Sequence, residues 1–328
     1  MKCGLQPVLT HHNRMKRISL AIVLALAVCS PSLADPPSVA YIFPAGAQRG
    51  TTVRFNVGGF YLHQVCSFGM IGKGVKAPKQ LLRAKHTVWF EGPLIRMPAS
   101  QAKENYPKDQ TGKLTVDSTA ELGFRRWRVW TPQGVSPTRT FVIGNLPEVV
   151  EKEVDGQPIP TAVNLPVTVN GRVFPREDID IWTFRARKGH AYACEVMASR
   201  ISSPLDSHLE VRGPDGQRVA ENNDELGSDS RIKFVAPADG VYQVRIYDTQ
   251  YKGLQSYVYR LTITDGPYIQ SVYPLGGKAG ATTEFEVDGQ NVPNNKLTVN
   301  LPKSARSDYM HSAMINAPPS NLFPKGSG

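Results

Sequence analysis

Cysteine is scarce in this chain, four in 328 residues. Cys3 and Cys29 fall in the N-terminal stretch, and Cys66 and Cys194 lie far apart. That distribution excludes a disulfide-stapled scaffold and reads as two buried small hydrophobes rather than a disulfide or metal pair. No long stretch with a 3.6-residue apolar period occurs outside the N-terminus, so a helical bundle is excluded as well. The marks of common catalytic machinery are also missing. There is no G-x-S-x-G nucleophile elbow and no H-E-x-x-H. Gly276-Gly277-Lys278 is followed by Ala279 where a phosphate loop needs Ser or Thr. His63, His86, His190, His208 and His311 are scattered singly, and no acid–base pair emerges, so the chain is expected not to be an enzyme. What is abundant is the chemistry of turns, 28 Gly and 26 Pro. Alternating or short apolar runs recur at roughly 8–12-residue spacing, the pattern of β-sandwiches. The fold class is therefore all-β, with one helical turn expected near Ala99.

The N-terminus is an address. Lys16 and Arg17 follow Met15, an apolar run extends from Ile18 to Val28, and Ser32-Leu33-Ala34 closes the stretch. A charged start, a short apolar run and a small-x-small site form a signal peptide over 1–34, with Met15 the true start and cleavage before Asp35. The apolar run is too short to span a bilayer, so no transmembrane segment is expected after cleavage. The product is expected to be exported, to the periplasm, the cell surface or the medium. Cleavage removes Lys2, Arg14, Lys16 and Arg17 and no acid, which takes the net charge from +10 to +6. A modestly basic exported chain is not expected to bind nucleic acid.

The sequence repeats itself at a constant offset of 230 residues. Pro37 pairs with Pro267, Gly46 with Gly276, Gly50 with Gly280, Phe55 with Phe285, Val57 with Val287 and Gly59 with Gly289. A gapless match of this kind marks a modular chain. The first copy spans residues 37–144: a strand ends at Pro44, a Gly-containing turn follows, and "TTVRFNVGG" alternates with Val53, Phe55 and Val57 on one face. Over Pro37–Leu62 it resembles the IPT/TIG type of immunoglobulin-like domain. Residues 145–164, with several prolines and Glu148, Glu151 and Glu153, read as an extended, solvated linker. Between the copies, residues 165–264 carry "VNGRV", the Asp-x-Asp-x-aromatic-x-Phe strand at Asp178–Phe184, "GPDGQRVAENND" and "APADGVYQVRIYD". This segment resembles the bacterial pre-peptidase C-terminal (PPC) domain, and the resemblance implies an eight-stranded, jelly-roll-like sandwich. Residues 267–328 lack counterparts of residues 99–144, so the second copy is expected to be an incomplete sandwich. The expected architecture is tandem β-sandwiches: Ig-like, PPC, then a partial Ig-like module, an order that also resembles large secreted proteins of planctomycete-type bacteria.

Two sets of residues carry candidate chemistry. Asp178, Asp180, Trp182 and Phe184 share one strand face, and the aromatics point inward, which sets Asp180 at the rim of a core. A bare carboxylate there must be met by backbone N–H groups, an arginine or a metal. With Asp224 and Asp229 of the "ENNDELGSD" loop, Asp178 and Asp180 form a candidate oxygen-only Ca²⁺ set, although Leu226 and Lys233 break the EF-hand pattern. Calcium is also known in PPC-like domains of clostridial collagenases, to which the resemblance points. The competing reading makes Asp206, Asp224, Asp229 and Asp239 turn-formers hydrogen-bonded to their own backbone. The second set lies in "FRRWRVW". Trp127 and Trp130, with Arg126 and Arg128 interleaved, form a candidate platform for a sugar or an anion, against the reading of a half-buried strand whose arginine stems cover apolar surface. The expected function is a non-catalytic binding, adhesion or cell-envelope protein attaching to an extracellular protein or polysaccharide. The alternative is the accessory region of a secreted hydrolase whose catalytic domain is elsewhere.

Overall fold

The computed structural model describes residues 35–84, 108–152 and 159–303. The signal peptide over 1–34, the helical turn near Ala99 and residues 304–328 lie outside the described residues. The first module contains β1 (Ser38–Phe43), β2 (Gly46–Gln48), β3 (Thr52–Phe60), β4 (Val65–Ile71), β5 (Val75–Lys76), β6 (Gln80–Arg83), β7 (Lys108–Val116), β8 (Gly123–Thr131), β9 (Gly134–Val135) and β10 (Arg139–Gly144). They form one sheet in the order β1-β3-β7-β6-β4-β8-β10-β2, with β5 on β7 and β9 on β8. Strict alternation supplies its core. Phe55 and Val57 of β3, Cys66 and Phe68 of β4, and Trp127 and Val129 of β8 all point inward and are buried, as a two-residue period requires.

The second module is a sandwich of two five-stranded sheets. β11 (Glu148–Val150), β13 (Val167–Arg172), β20 (Val258–Thr264), β15 (Ala191–Met197) and β18 (Arg231–Val235) form one sheet. β12 (Thr161–Ala162), β14 (Asp180–Ala186), β19 (Gly240–Asp248), β16 (Ser207–Arg212) and β17 (Arg218–Asn222) form the other. Trp182, Phe184, Tyr192, Tyr242 and Tyr259 fill the space between them. Eight of these strands, β13 to β20, come from the segment expected to form a sandwich. The other two come from the linker, and here the structure corrects the sequence reading. β11 pairs in parallel with β13, and β12 in parallel with β14. The presumed solvated connector thus adds an edge strand to each sheet.

Glu148 explains why. Its carboxylate accepts both terminal nitrogens of Arg260 at 2.7 and 2.9 Å and the Asn170 amide at 2.7 Å. Arg260 and Asn170 stand on the outward face of β20 and β13, which alternation alone would assign to water. That face is instead covered by the first module. Tyr41, Phe43, Ala45 and Val142 pack with Ile201 and Val258 in a third apolar cluster. The Arg172 guanidinium lies 4.1 Å from the Phe43 ring centre and 5.3 Å from that of Tyr41, a geometry in which the ring quadrupoles attract the cation. Arg139 donates to the carbonyls of Val39 and Ser202, bridging the modules. Gly46 is required at this seam, because a Cβ there would collide with the Arg260 guanidinium and the Val142 carbonyl.

The third unit is a three-stranded sheet of β21 (Tyr268–Tyr273), β22 (Thr282–Gln290) and β23 (Lys296–Asn300). It reproduces the opening of the first module in detail. Pairing of β1 with β3 slips between Val39 and Tyr41, and pairing of β21 with β22 slips between Ile269 and Ser271, 230 residues later. Gly59 and Gly289 are each pressed against the carbonyl of the residue that starts the opening strand, Ser38 and Tyr268, so neither position admits a side chain. The offset in the sequence is therefore an offset in backbone geometry. Contacts to the PPC-like sandwich run through Tyr268, which bonds Glu195 and Arg231, and through Asn291, which donates to the Ala191 carbonyl at 3.1 Å.

Candidate functional site

The four aspartates of the candidate calcium set do not converge. Asp180 opens β14, and its register partners run Ile246, Leu209 and Asn222 across three strand spacings. At about 4.8 Å per spacing, Asn222 and the loop that follows it stand roughly 14 Å away. Asp224 is exposed in that loop. Asp229 is fully buried and serves another purpose. It accepts the backbone N–H groups of Ala198, Ser199 and Arg200 at 2.9, 2.7 and 3.3 Å and the Arg200 Nε at 2.7 Å. It thereby fixes the short 3₁₀ turn Ser199–Ile201, close to the turn-forming role that competed with calcium.

Asp180 and Asp178 do belong to one cluster, with a partner the sequence reading assigned to solvent. Asp180 accepts the Tyr259 hydroxyl at 2.7 Å, and that hydroxyl accepts the Trp182 indole N–H at 3.0 Å. Gly171 makes this possible, since any side chain there would overlap the Tyr259 ring. Glu151 hydrogen-bonds to Asp180 and also accepts the Arg172 N–H at 2.8 Å. Asp178 accepts the Phe174 N–H at 3.0 Å. Burial holds the Asp180 carboxyl well above the usual carboxylate range, Glu151 and then Asp178 push it further, and the Tyr259 hydroxyl acts in the opposite sense. Burial, then Asp180, likewise raises the Tyr259 phenol. Two carboxyls that hydrogen-bond to each other share a proton. Among the described residues no group of three or more His, Cys, Asp or Glu side chains is arranged to hold a metal ion. Of the four aspartates proposed as calcium ligands, the fold brings together Asp178 and Asp180 and adds Glu151 to them. Cys66 and Cys194 are free and buried, and burial pushes the Cys194 thiol up to about 12.

The second candidate set divides by parity. Trp127 is fully buried, donates its indole N–H to the Thr140 carbonyl at 3.2 Å and stacks on Phe68. It is core, and the structure removes it from the platform. Trp127→Ala is expected to destabilise the chain by about 3–5 kcal/mol, whereas Trp130→Ala, at an exposed position, should change stability by no more than about 0.5 kcal/mol. Urea unfolding followed by far-UV circular dichroism separates the two.

Trp130, Arg128 and Arg126 point outward. Register places Ser67, Gly69 and Ile71 of β4 beside them, then Gln80 and Leu82 of β6 beside Ser67 and Val65, with Val135 of β9 beside Trp130. The six-membered ring of Trp130 lies over Gly69, where a Cβ would touch it at 3.0 Å. The rest of the side chain reaches past the glycine, and the residue is 40% exposed. An open pocket of roughly 750 Å³ lies beside it, lined by Ser67, Phe68, Lys79, Gln80 and Trp130. Val65, Ile71, Leu82, Phe124 and Val135 are exposed on the same face. Sequence reasoning found the β8 residues but missed the β4 and β6 contribution, because pairing of those strands is not written in either one alone. The only local signal was Gly69, small where its neighbour is large.

Residues 178–248 match the bacterial pre-peptidase C-terminal domain. A probable subtilase-type serine protease of Deinococcus radiodurans is 37% identical over 70 residues, 21% of this chain and 10% of the protease. The chain thus spans about a tenth of that relative's length. The pre-peptidase C-terminal domain of a collagenase from Bacillus anthracis aligns at 14% identity over 33% of this chain and 97% of its own, with a TM-score of 0.28. PliG of Aeromonas hydrophila, a periplasmic inhibitor of g-type lysozyme, aligns at 15% identity over 36% of this chain and 97% of its own, with a TM-score of 0.27. Among the described residues no helix is long and apolar enough to cross a membrane. The strand bearing Asp180, Trp182 and Phe184 and the turns around Pro214 and Asp239 all fall inside the matched segment, so residues 178–248 are the part of this all-β, multi-sheet chain that is similar to the bacterial pre-peptidase C-terminal domain.

Proposed function

We propose that this chain is a non-catalytic attachment region of an exported protein, holding it to an extracellular protein or polysaccharide. The observation that carries the reading is the outward face of β4, β6 and β8, where an exposed indole, exposed apolar side chains and cations share a surface. A contiguous apolar patch rimmed by polar groups is the usual mark of an interaction site. The buried seam between the first module and the sandwich leaves this face uncovered, with Leu82, Phe124 and Trp130 exposed on it. A second reading, favoured by the likeness to a stretch of a subtilase-type protease, makes the chain an accessory region of a secreted protease-type protein. The signal-peptide pattern supports export in either case. Co-sedimentation of the full chain with collagen fibrils, chitin, cellulose and cross-linked pectin tests the proposal. Retention on at least one polymer, without release of fragments, is expected. Failure to be retained by any, or hydrolysis of one, refutes it.

A further inference from the structure

The outward face of the first module is cationic as well as aromatic. Strands β4, β6, β8, β9 and β10 contain Arg83, Arg125, Arg126, Arg128 and Arg139 and no Asp or Glu. Arg125 is buried and spent on the carbonyls of Lys73, Phe124 and Glu121. Arg126, Arg128 and Lys79 are exposed, and among the described residues none of the three forms an ion pair. Arg126 and Arg128 lie on the same side of β8 as Trp130, at two-residue steps of about 7 Å, so the row from Phe124 to Trp130 runs for roughly 20 Å. Lys79 lines the same pocket as Trp130.

We propose that this face binds an acidic polysaccharide, with one sugar ring stacked on the exposed indole of Trp130 and the acidic groups of the chain taken by Arg126, Arg128 and Lys79. The inference rests on the attachment reading above and names its ligand class. A pyranose ring is amphipathic: its C–H face suits the electron-rich indole, and its rim of hydroxyls suits Ser67 and Gln80 beside it. Arginine forks pair with carboxylates or sulfates in two-pronged fashion. The length of the row accommodates several residues of a polymer lying along it. Acidic polypeptides and nucleic acids share the charge but have no hydroxyl-rimmed ring for this pocket, and they serve as controls.

Affinity electrophoresis of the full chain, run toward the cathode in gels containing polygalacturonate, tests the assignment. Polygalacturonate should retard the protein, and its methyl-esterified form, with the same backbone and its carboxylates masked, should not. Trp130→Ala and Arg128→Gln should each weaken retardation by about tenfold. Both positions are exposed, and unchanged melting curves confirm folded variants. Equal retardation by polyglutamate or duplex DNA, or retardation that survives Trp130→Ala, overturns the assignment. Retention only on a neutral polymer, lost on Trp130→Ala, overturns the acidic class and leaves the attachment reading standing. Loss of retention on every polymer removes both.

Discussion

Glu148→Ala should lower the unfolding free energy by about 3–5 kcal/mol, the loss expected when one member of a buried ion pair is removed. Arg260 is 5% exposed and Glu148 9%, so the guanidinium left behind would keep only the Asn170 oxygen at 2.9 Å. Gly46 and the Val142 carbonyl close one side of it, and a small pocket lined by Gly144, Asn145 and Thr168 is the room into which it could turn. The effect reaches beyond the pair. Glu148 begins β11, and its side chain ties that strand to Asn170 of β13 and Arg260 of β20 in addition to the backbone pairing with β13. Urea unfolding should show a lower midpoint. Three of the four tryptophans, Trp89, Trp127 and Trp130, belong to residues 37–144 and Trp182 to the sandwich, so two separate transitions in tryptophan emission would show the modules melting separately. Glu148→Gln keeps the shape and one acceptor oxygen and should lose less. A loss below about 1 kcal/mol for the alanine variant would mean that water reaches Arg260.

The contrast between β8 and β11 shows how much of this fold could be read locally. In "FRRWRVW" the side chains alternate in water and out of it, so the two-residue period alone separates Trp127 from Trp130. The repeat at 230 residues was legible for the same reason: Gly59 and Gly289 answer to a close approach within one hairpin, encoded over a few residues. β11 was not legible. Its glutamates and the surrounding prolines have the composition of a solvated connector, and their partner is an arginine more than a hundred residues away. Arg260 itself stands on a strand face that looks solvent-exposed, because nothing in β20 records that another module will cover it. The candidate sites divide along this line. The Asp180 strand and the β8 row were readable from spacing. Glu151, brought to Asp180 by the same strand addition, was not, and neither were the β4 and β6 residues that complete the platform.

Asp180→Asn should stabilise the protein at neutral pH, by about 1–3 kcal/mol if its charged form is the imperfectly satisfied buried group that the cluster suggests. The sign follows from the raised carboxyl. Between the ordinary aspartate value and the raised native one, the folded state binds more protons than the unfolded state. Stability therefore falls as pH rises through that window and levels off above it. Asparagine imitates the protonated acid: its oxygen can still accept the Tyr259 hydroxyl, and its N–H₂ can donate to Glu151. The variant should melt higher than wild type at pH 7 and equal to it below the ordinary aspartate range, and the slope between should flatten. Thermal melts from pH 3 to 8 measure this, and repeating them with millimolar CaCl₂ and then EGTA separates the two occupants of the cluster. A proton predicts no calcium response and a stabilising Asp180→Asn. A calcium ion predicts the reverse on both counts, a higher wild-type melting temperature in CaCl₂ by mass action and a destabilising substitution. Because Asp224 and Asp229 stand apart from Asp180, Asp224→Ala should leave the melts unchanged under either occupant.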